Sequence, residues 1–264
     1  MKKLTLVATA ALWLSGLLAH GAVIVAGFES VTFPGNDDGS IGPVSLGFTL
    51  NFYGVLRNSV FVNNNGNVTF DSGLGTFTPF SLLSTNRQII APFFADVDTR
   101  AGNPTRYGTG TFGGRNAFGV TWREVGYYSQ NTDKLNSFQL LLVDRSDIAP
   151  GDFDIIFNYD QIQWETGDAS GGSNGLGGSS ARAGWSNGVN AFFELPGSAV
   201  NGAFLDSNLV SGLIYNRLNS SVDGRYIFNV RGGSVVSEIP EPSTFTLLLA
   251  PLALFAIRRF KARA

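Results

Sequence analysis

Leu46, Phe48, Leu50 and Phe52 alternate with Gly47, Thr49 and Asn51. Successive side chains of an extended chain point to opposite faces, so these four apolar residues predict a strand buried on one side. The same period of two returns along the chain. Residues 59–63 read as a strand, Asn65-Gly66 supplies the positive φ of a tight hairpin turn, and Val68-Thr69-Phe70 returns. In 86–100, Ile89, Ala91, Phe93, Ala95 and Val97 share one face, and Ile90, Phe94, Asp96 and Asp98 share the other. Apolar residues on both faces predict a central strand, and Pro92, which cannot donate to the ladder, predicts a bulge or a local edge. In 117–125, Phe118, Val120 and Trp122 point inward, with Thr121 and Arg123 outward. Further strands are expected at 138–144, 153–164, 182–186 and 224–230. Helical periodicity over three turns is not found in the body; 198–205 is expected to hold one short helical turn. The Gly/Ser-rich stretch 167–180 reads as a mobile surface loop. The fold class that follows is all-β: a single antiparallel β-sandwich or jelly-roll-like domain.

The two ends read differently. Met1-Lys2-Lys3, an apolar run over 4–18 and Ala19-His20-Gly21 form a Sec-type signal peptide over 1–21, with cleavage expected before Ala22. Residues 22–231 are then the β domain, 232–238 a linker and 239–264 a sorting or anchor segment. That segment opens with Pro240, Glu241 and Pro242, continues as an apolar run over 245–257, and ends with Arg258, Arg259, Lys261 and Arg263. At ~1.5 Å per residue, a helix of this run reaches only ~20 Å across a hydrocarbon core ~30 Å thick. The basic stop would remain cytoplasmic by the positive-inside rule. These residues resemble the PEP-CTERM sorting signal of Gram-negative bacteria. The resemblance implies an exosortase-type sorting protease that cuts near the tripeptide. It also implies transient inner-membrane contact, then delivery to the cell envelope or surface, or secretion. The alternative is an ordinary tail anchor.

Composition removes several function classes. The chain has no Cys, and its one His, His20, lies in the signal peptide. The body therefore lacks the residues for Ser-His-Asp or Cys-His catalysis and for His/Cys zinc sites. Of 18 Lys+Arg and 20 Asp+Glu, six cations and one acid lie in the two ends, which leaves the body with 12 against 19. An acidic body argues against nucleic acid as a partner.

The block Ile89-Ile90-Ala91-Pro92-Phe93-Phe94-Ala95-Asp96-Val97-Asp98-Thr99 resembles the opening of the NIDO domain, the nidogen-like extracellular module. Phe118-Gly119-Val120-Thr121-Trp122, Asn136-Ser137-Phe138-Gln139-Leu140, Phe157-Asn158-Tyr159, Ile162-Gln163-Trp164, Ala183-Gly184-Trp185 and Leu195-Pro196-Gly197-Ser198 follow in the family's order. These signature blocks cover 89–198. The resemblance implies adhesion or extracellular-matrix roles and no enzymatic activity.

Candidate site residues are carboxylates. Asp96 and Asp98, two apart on one strand, would point to one side and could attract a hard cation such as Ca²⁺. Such an ion needs 6–8 oxygens, so the sequence favours a strand end that accepts N–H groups from the turn at Gly102 and Asn103. Asn36-Asp37-Asp38-Gly39-Ser40 is also oxygen-rich, and turn chemistry accounts for it. Asp152 with Asp154, and Glu165 with Asp168 beside Trp164, could serve a carboxylate-based glycoside hydrolase, though solvated edge and loop charges are the simpler reading. Trp122, Trp164 and Trp185 could stack sugars, but core packing is the commoner fate of such residues. The sequence thus predicts an exported, non-enzymatic adhesion or matrix-associated protein, with an extracellular-matrix or exopolysaccharide component as partner. It expects no cofactor, with Ca²⁺ left open. The alternative is a glycan-binding, lectin-like module, and behind it the hydrolase.

Overall fold

A computed structural model of the chain describes residues 23–236. The expected signal peptide and the segment 239–264 lie outside the described residues. Fourteen strands follow in chain order: β1 (Val31–Thr32), β2 (Ser40–Phe52), β3 (Val55–Asn63), β4 (Asn67–Thr69), β5 (Gln88–Phe94), β6 (Val97–Asp98), β7 (Arg106–Phe112), β8 (Arg115–Tyr127), β9 (Asn131–Asp144), β10 (Phe153–Gln161), β11 (Arg182–Asn187), β12 (Phe192–Glu194), β13 (Arg225–Arg231) and β14 (Ser234–Val235). Among the described residues the one helical element is a 3₁₀ turn at Asp168–Ser170. The helical turn expected over 198–205 is a series of hydrogen-bonded turns instead.

The strands form two antiparallel sheets. The larger runs β1-β7-β8-β9-β10-β13-β14, with β6 also paired to β8; the smaller runs β12-β11-β5-β4-β3-β2. Their inner faces meet in one core containing Leu46, Leu50, Phe52, Phe93, Trp122, Phe138, Phe157 and Trp164. Burying a Leu- or Phe-sized side chain contributes about 1.5–3 kcal/mol each, which is what drives the sheets together. Trp122 stacks on Phe138 with centroids 5.0 Å apart, and its indole N–H donates to the Asn64 carbonyl. Trp164 donates to the Val125 carbonyl. Both Trp are fully buried and Trp185 is 6% exposed, so the three form no sugar platform.

The strand expected over 86–100 is two strands in different sheets. β5 lies between β11 and β4 in the smaller sheet, the central place its two apolar faces require. Arg182 pairs with Phe94 but Gly184 with Ala91, so β5 carries one extra residue beside Pro92. This is the bulge that a proline without an N–H imposes. The bulge also changes the faces: Ile90 and Phe93 enter the main core, while Ile89, Ala91 and Phe94 form a separate cluster with Leu82 on the outer side. Strict alternation had placed Phe93 with Ile89. After Ala95 and Asp96 the chain crosses to the larger sheet, where Val97 pairs with Tyr127.

Two other expectations change. Thr121, expected outside, is buried, because the Gln139 side chain donates to its hydroxyl and to the Val25 carbonyl of the N-terminal segment. The stretch read as a linker, 232–238, begins as a hairpin: β14 pairs with β13, and Gly232 N–H donates to Asp152.

Candidate metal centre

The site is built on the hairpin between β3 and β4. Asn63 pairs with Asn67, which leaves Asn64, Asn65 and Gly66 as its loop. Gly66 has φ +71°, and a Cβ there would sit 1.7 Å from the Phe93 carbonyl oxygen. Only glycine satisfies both demands. A hairpin tip is ordinarily exposed, yet Asn63, Asn64, Asn65 and Asn67 are all fully buried. Their amides tie three distant segments together. Asn64 Nδ2 donates to the Asp37 and Val97 carbonyls, and its Oδ1 accepts from the Thr99 hydroxyl at 2.9 Å. Asn65 Nδ2 donates to Asp38 Oδ1 at 2.8 Å and to the Thr76 carbonyl at 3.2 Å, while its Oδ1 accepts Val97 N–H at 2.9 Å.

This scaffold gathers acids that lie far apart in sequence. The 36–39 turn is closed by Gly39 N–H donating to Asn36 Oδ1, and is fixed to the crossing by Asn36 N–H donating to the Thr99 hydroxyl. It carries Asp37 and Asp38 up to Asp96, and one carboxylate oxygen from each of the three lies within 4.8 Å of the others. A third wall is the 167–180 loop. A Cβ at Gly167 would lie 2.5 Å from Asp96 Oδ2, so the loop closes on that carboxylate only because glycine stands there. Ser170, in the same loop, directs its hydroxyl at Asp96 Oδ2 over 3.4 Å, and Thr78 Oγ1 stands 3.3 Å from Ser170 Oγ. The loop read as a mobile surface feature is thus packed against the cluster.

The pair suggested by sequence is split. Asp96 and Asp98 do not act together, because the strand is broken between them. Asp98 accepts from Arg100 N–H, from the Arg100 guanidinium and from Gln130 N–H, with no bond from the Gly102–Asn103 turn. Burial pushes the Asp98 carboxyl up, but these bonds to Arg100 and Gln130 outweigh it and hold it below the usual range. Asp96 has the opposite environment. It is 1% exposed, and its Oδ1 accepts no hydrogen bond among the described residues. Asp37 Oδ1 is likewise sealed from solvent without a partner, while Asp37 Oδ2 lies 3.2 Å from Arg100. Burial, then the charges of Asp37 and Asp38, pushes Asp96 up to about 7. Burial, then Asp38 and Asp98, pushes Asp37 up to about 6, against the pull of Arg100.

The other carboxylates serve the fold. Asp154 is bonded by Arg145 at 2.9 Å and Arg231 at 2.6 Å. Glu165 is fully buried and accepts the N–H groups of Gly202 and Phe204. Asp168 opens the 3₁₀ turn at the surface. None of these three belongs to the carboxylate cluster.

Asp206 illustrates how such burial shows in stability. Its Oδ1 accepts Ile162 N–H at 2.9 Å, and burial pushes its carboxyl from 3.8 up to about 6. Between these values the folded protein holds a proton that the unfolded chain releases. Stability from this group is therefore greatest below about pH 4, falls as pH rises to about 6, and is level above that. Asp206→Asn keeps the acceptor and removes the charge. It is expected to raise Tm relative to the parent at pH 8 and to leave it unchanged at pH 4. Melting curves at the two pH values check this; an equal shift at both would contradict it.

The profile of the nidogen-like domain (NIDO) matches this chain over residues 58–110 and 103–232. Human alpha-tectorin is 35% identical over 229 residues, which is 76% of this chain and 10% of that protein. Chicken alpha-tectorin is 33% identical over a similar span, again 76% of this chain and 10% of its own length. Drosophila nidogen is 27% identical over 74% of this chain and 16% of its own length. The chain thus spans about a tenth of the alpha-tectorins it matches. No solved structure matches it. With both sheets and the 89–198 blocks inside or overlapping the matched span, the chain belongs to the nidogen-like domain family.

Proposed function

We propose that the protein is an exported, non-enzymatic module that binds a component of the extracellular matrix or an exopolysaccharide. The observation that carries this reading is the nidogen-like domain itself, shared along most of the sandwich with alpha-tectorin and nidogen. The resemblance noted in the sequence gives that domain adhesion and matrix roles. Supporting it, Asp154 and Glu165, which a glycoside hydrolase would need free, are bonded to arginines and backbone N–H groups.

Delivery follows from the ends of the chain. The Sec-type signal peptide would export it. Pro240, Glu241 and Pro242, the short apolar run and the basic stop Arg258, Arg259, Lys261 and Arg263 would hold it briefly in the inner membrane for an exosortase-type protease. Among the described residues no helix is long and apolar enough to cross a membrane; the proposed hook lies outside them. Fractionation of cells expressing the chain with a tag in the body tests this. Wild type is expected at the cell surface or in the medium, with an intact mass lacking 1–21 and everything after roughly 240–242. Changing Pro240, Glu241 and Pro242 to alanine is expected to leave the protein full-length at its C-terminus and retained in the inner membrane. Processing and release of that variant like wild type would contradict the sorting reading.

A further inference from the structure

We propose that Asp37, Asp38 and Asp96 hold a Ca²⁺ ion, which locks the 36–39 turn and the 167–180 loop onto the point where the chain crosses between sheets. The size of the cluster fits one ion. Ca²⁺–oxygen bonds are ~2.4 Å, so ligands on opposite sides of an ion stand ~4.8 Å apart. One oxygen from each of the three carboxylates lies within that distance of the others. Their chemistry fits as well. Hard oxygen donors suit Ca²⁺, and the body has no His or Cys to favour a softer metal.

The second observation is independent of the clustering. Asp96 Oδ1 and Asp37 Oδ1 are sealed from water and accept no hydrogen bond among the described residues, although Asp96 is almost wholly buried. A buried carboxylate oxygen without a donor is costly, and folded chains rarely leave one so. Nearby polar side chains act on other atoms: Asn65 serves Asp38 Oδ1, and Arg100 serves Asp98 and Asp37 Oδ2. A cation between the carboxylates satisfies both orphaned oxygens and balances their charge. Mono- and bidentate carboxylates together supply three to six oxygens, and the Ser170 hydroxyl stands beside Asp96 to extend the set, with the Thr78 hydroxyl behind it at 3.3 Å from Ser170 Oγ. An irregular set of carboxylate and hydroxyl ligands from separate loops suits Ca²⁺ better than Mg²⁺, which demands a small, regular octahedron.

The test uses the full chain, freed of metal by chelator, with Ca²⁺ titrated by calorimetry and Tm followed in parallel. The expected result is one saturable site with Kd of about 1 mM or tighter, the range of extracellular modules, and a rising Tm. Mg²⁺ is expected to bind at least about 10-fold more weakly. Asp96→Asn, which removes charge at constant shape, should weaken Ca²⁺ binding at least about 30-fold. In chelator it should melt at or above the parent, because a buried repulsion is gone; in Ca²⁺ it should melt below. Should Asp96→Asn fail to fold, half-exposed Asp38→Asn decides by the same loss of affinity. No saturable heat and no Tm change in about 5 mM Ca²⁺ would overturn the proposal. So would variants that bind as the parent does, or Mg²⁺ binding equal to Ca²⁺.

Discussion

Phe93→Ala is expected to remove about 3–5 kcal/mol of stability, the range for deleting a buried aromatic ring. Phe93 is fully buried where the two sheets and the 202–205 segment meet. Its ring lies 5.2 Å from Phe138 of β9, 5.8 Å from Trp164 and 6.3 Å from Phe204, centroid to centroid. These neighbours come from separate segments, so no single one can move in to fill the space. The Phe93 backbone is held as well, its N–H donating to the Gly66 carbonyl. Urea unfolding checks the value; a loss under about 1 kcal/mol would place this side chain outside the packed core.

The second large effect is expected from Asn64→Ala, at about 3–5 kcal/mol. Asn64 is buried, and its amide serves the Asp37 carbonyl, the Val97 carbonyl and the Thr99 hydroxyl. Each buried polar group left without its partner costs about 1–3 kcal/mol. Asn64→Asp is expected to cost at least as much as Asn64→Ala at pH 7, because it sets a buried carboxylate oxygen against the Asp37 and Val97 carbonyls. It keeps an acceptor for Thr99 but offers no donor to the two carbonyls. The same urea series measures both. An Asn64→Ala variant as stable as the parent would mean that the asparagine hairpin does not hold the three segments together.

These two residues mark what the sequence could and could not say. Period-two alternation depends only on the local chain, so Leu46, Leu50, Phe118, Val120 and Trp122 were all legible as core. Pro92 announced its bulge because a missing N–H is a local fact, but the face Phe93 takes after that bulge depends on the partner strand β11. Burial of the Asn63–Asn67 hairpin was not legible. Asparagine and glycine mark a turn whether water or protein surrounds it. The acidic centre was half legible: Asp96, Asp98 and the Asn36–Ser40 run each stood out as oxygen-rich. Their grouping was not, since Asp37 and Asp38 reach Asp96 only through the β3–β4 hairpin and the chain crossing after Phe94. The one available signal was the strand's apolar pattern giving way to two acids at Asp96 and Asp98.

Matrix association is tested most directly by co-sedimentation of the purified protein with extracellular matrix isolated from cells lacking it. The account predicts saturable co-sedimentation, with bound protein rising to a plateau and competed by unlabelled protein. Protein that stays in the supernatant at every concentration, or that binds without saturation or competition, would contradict it.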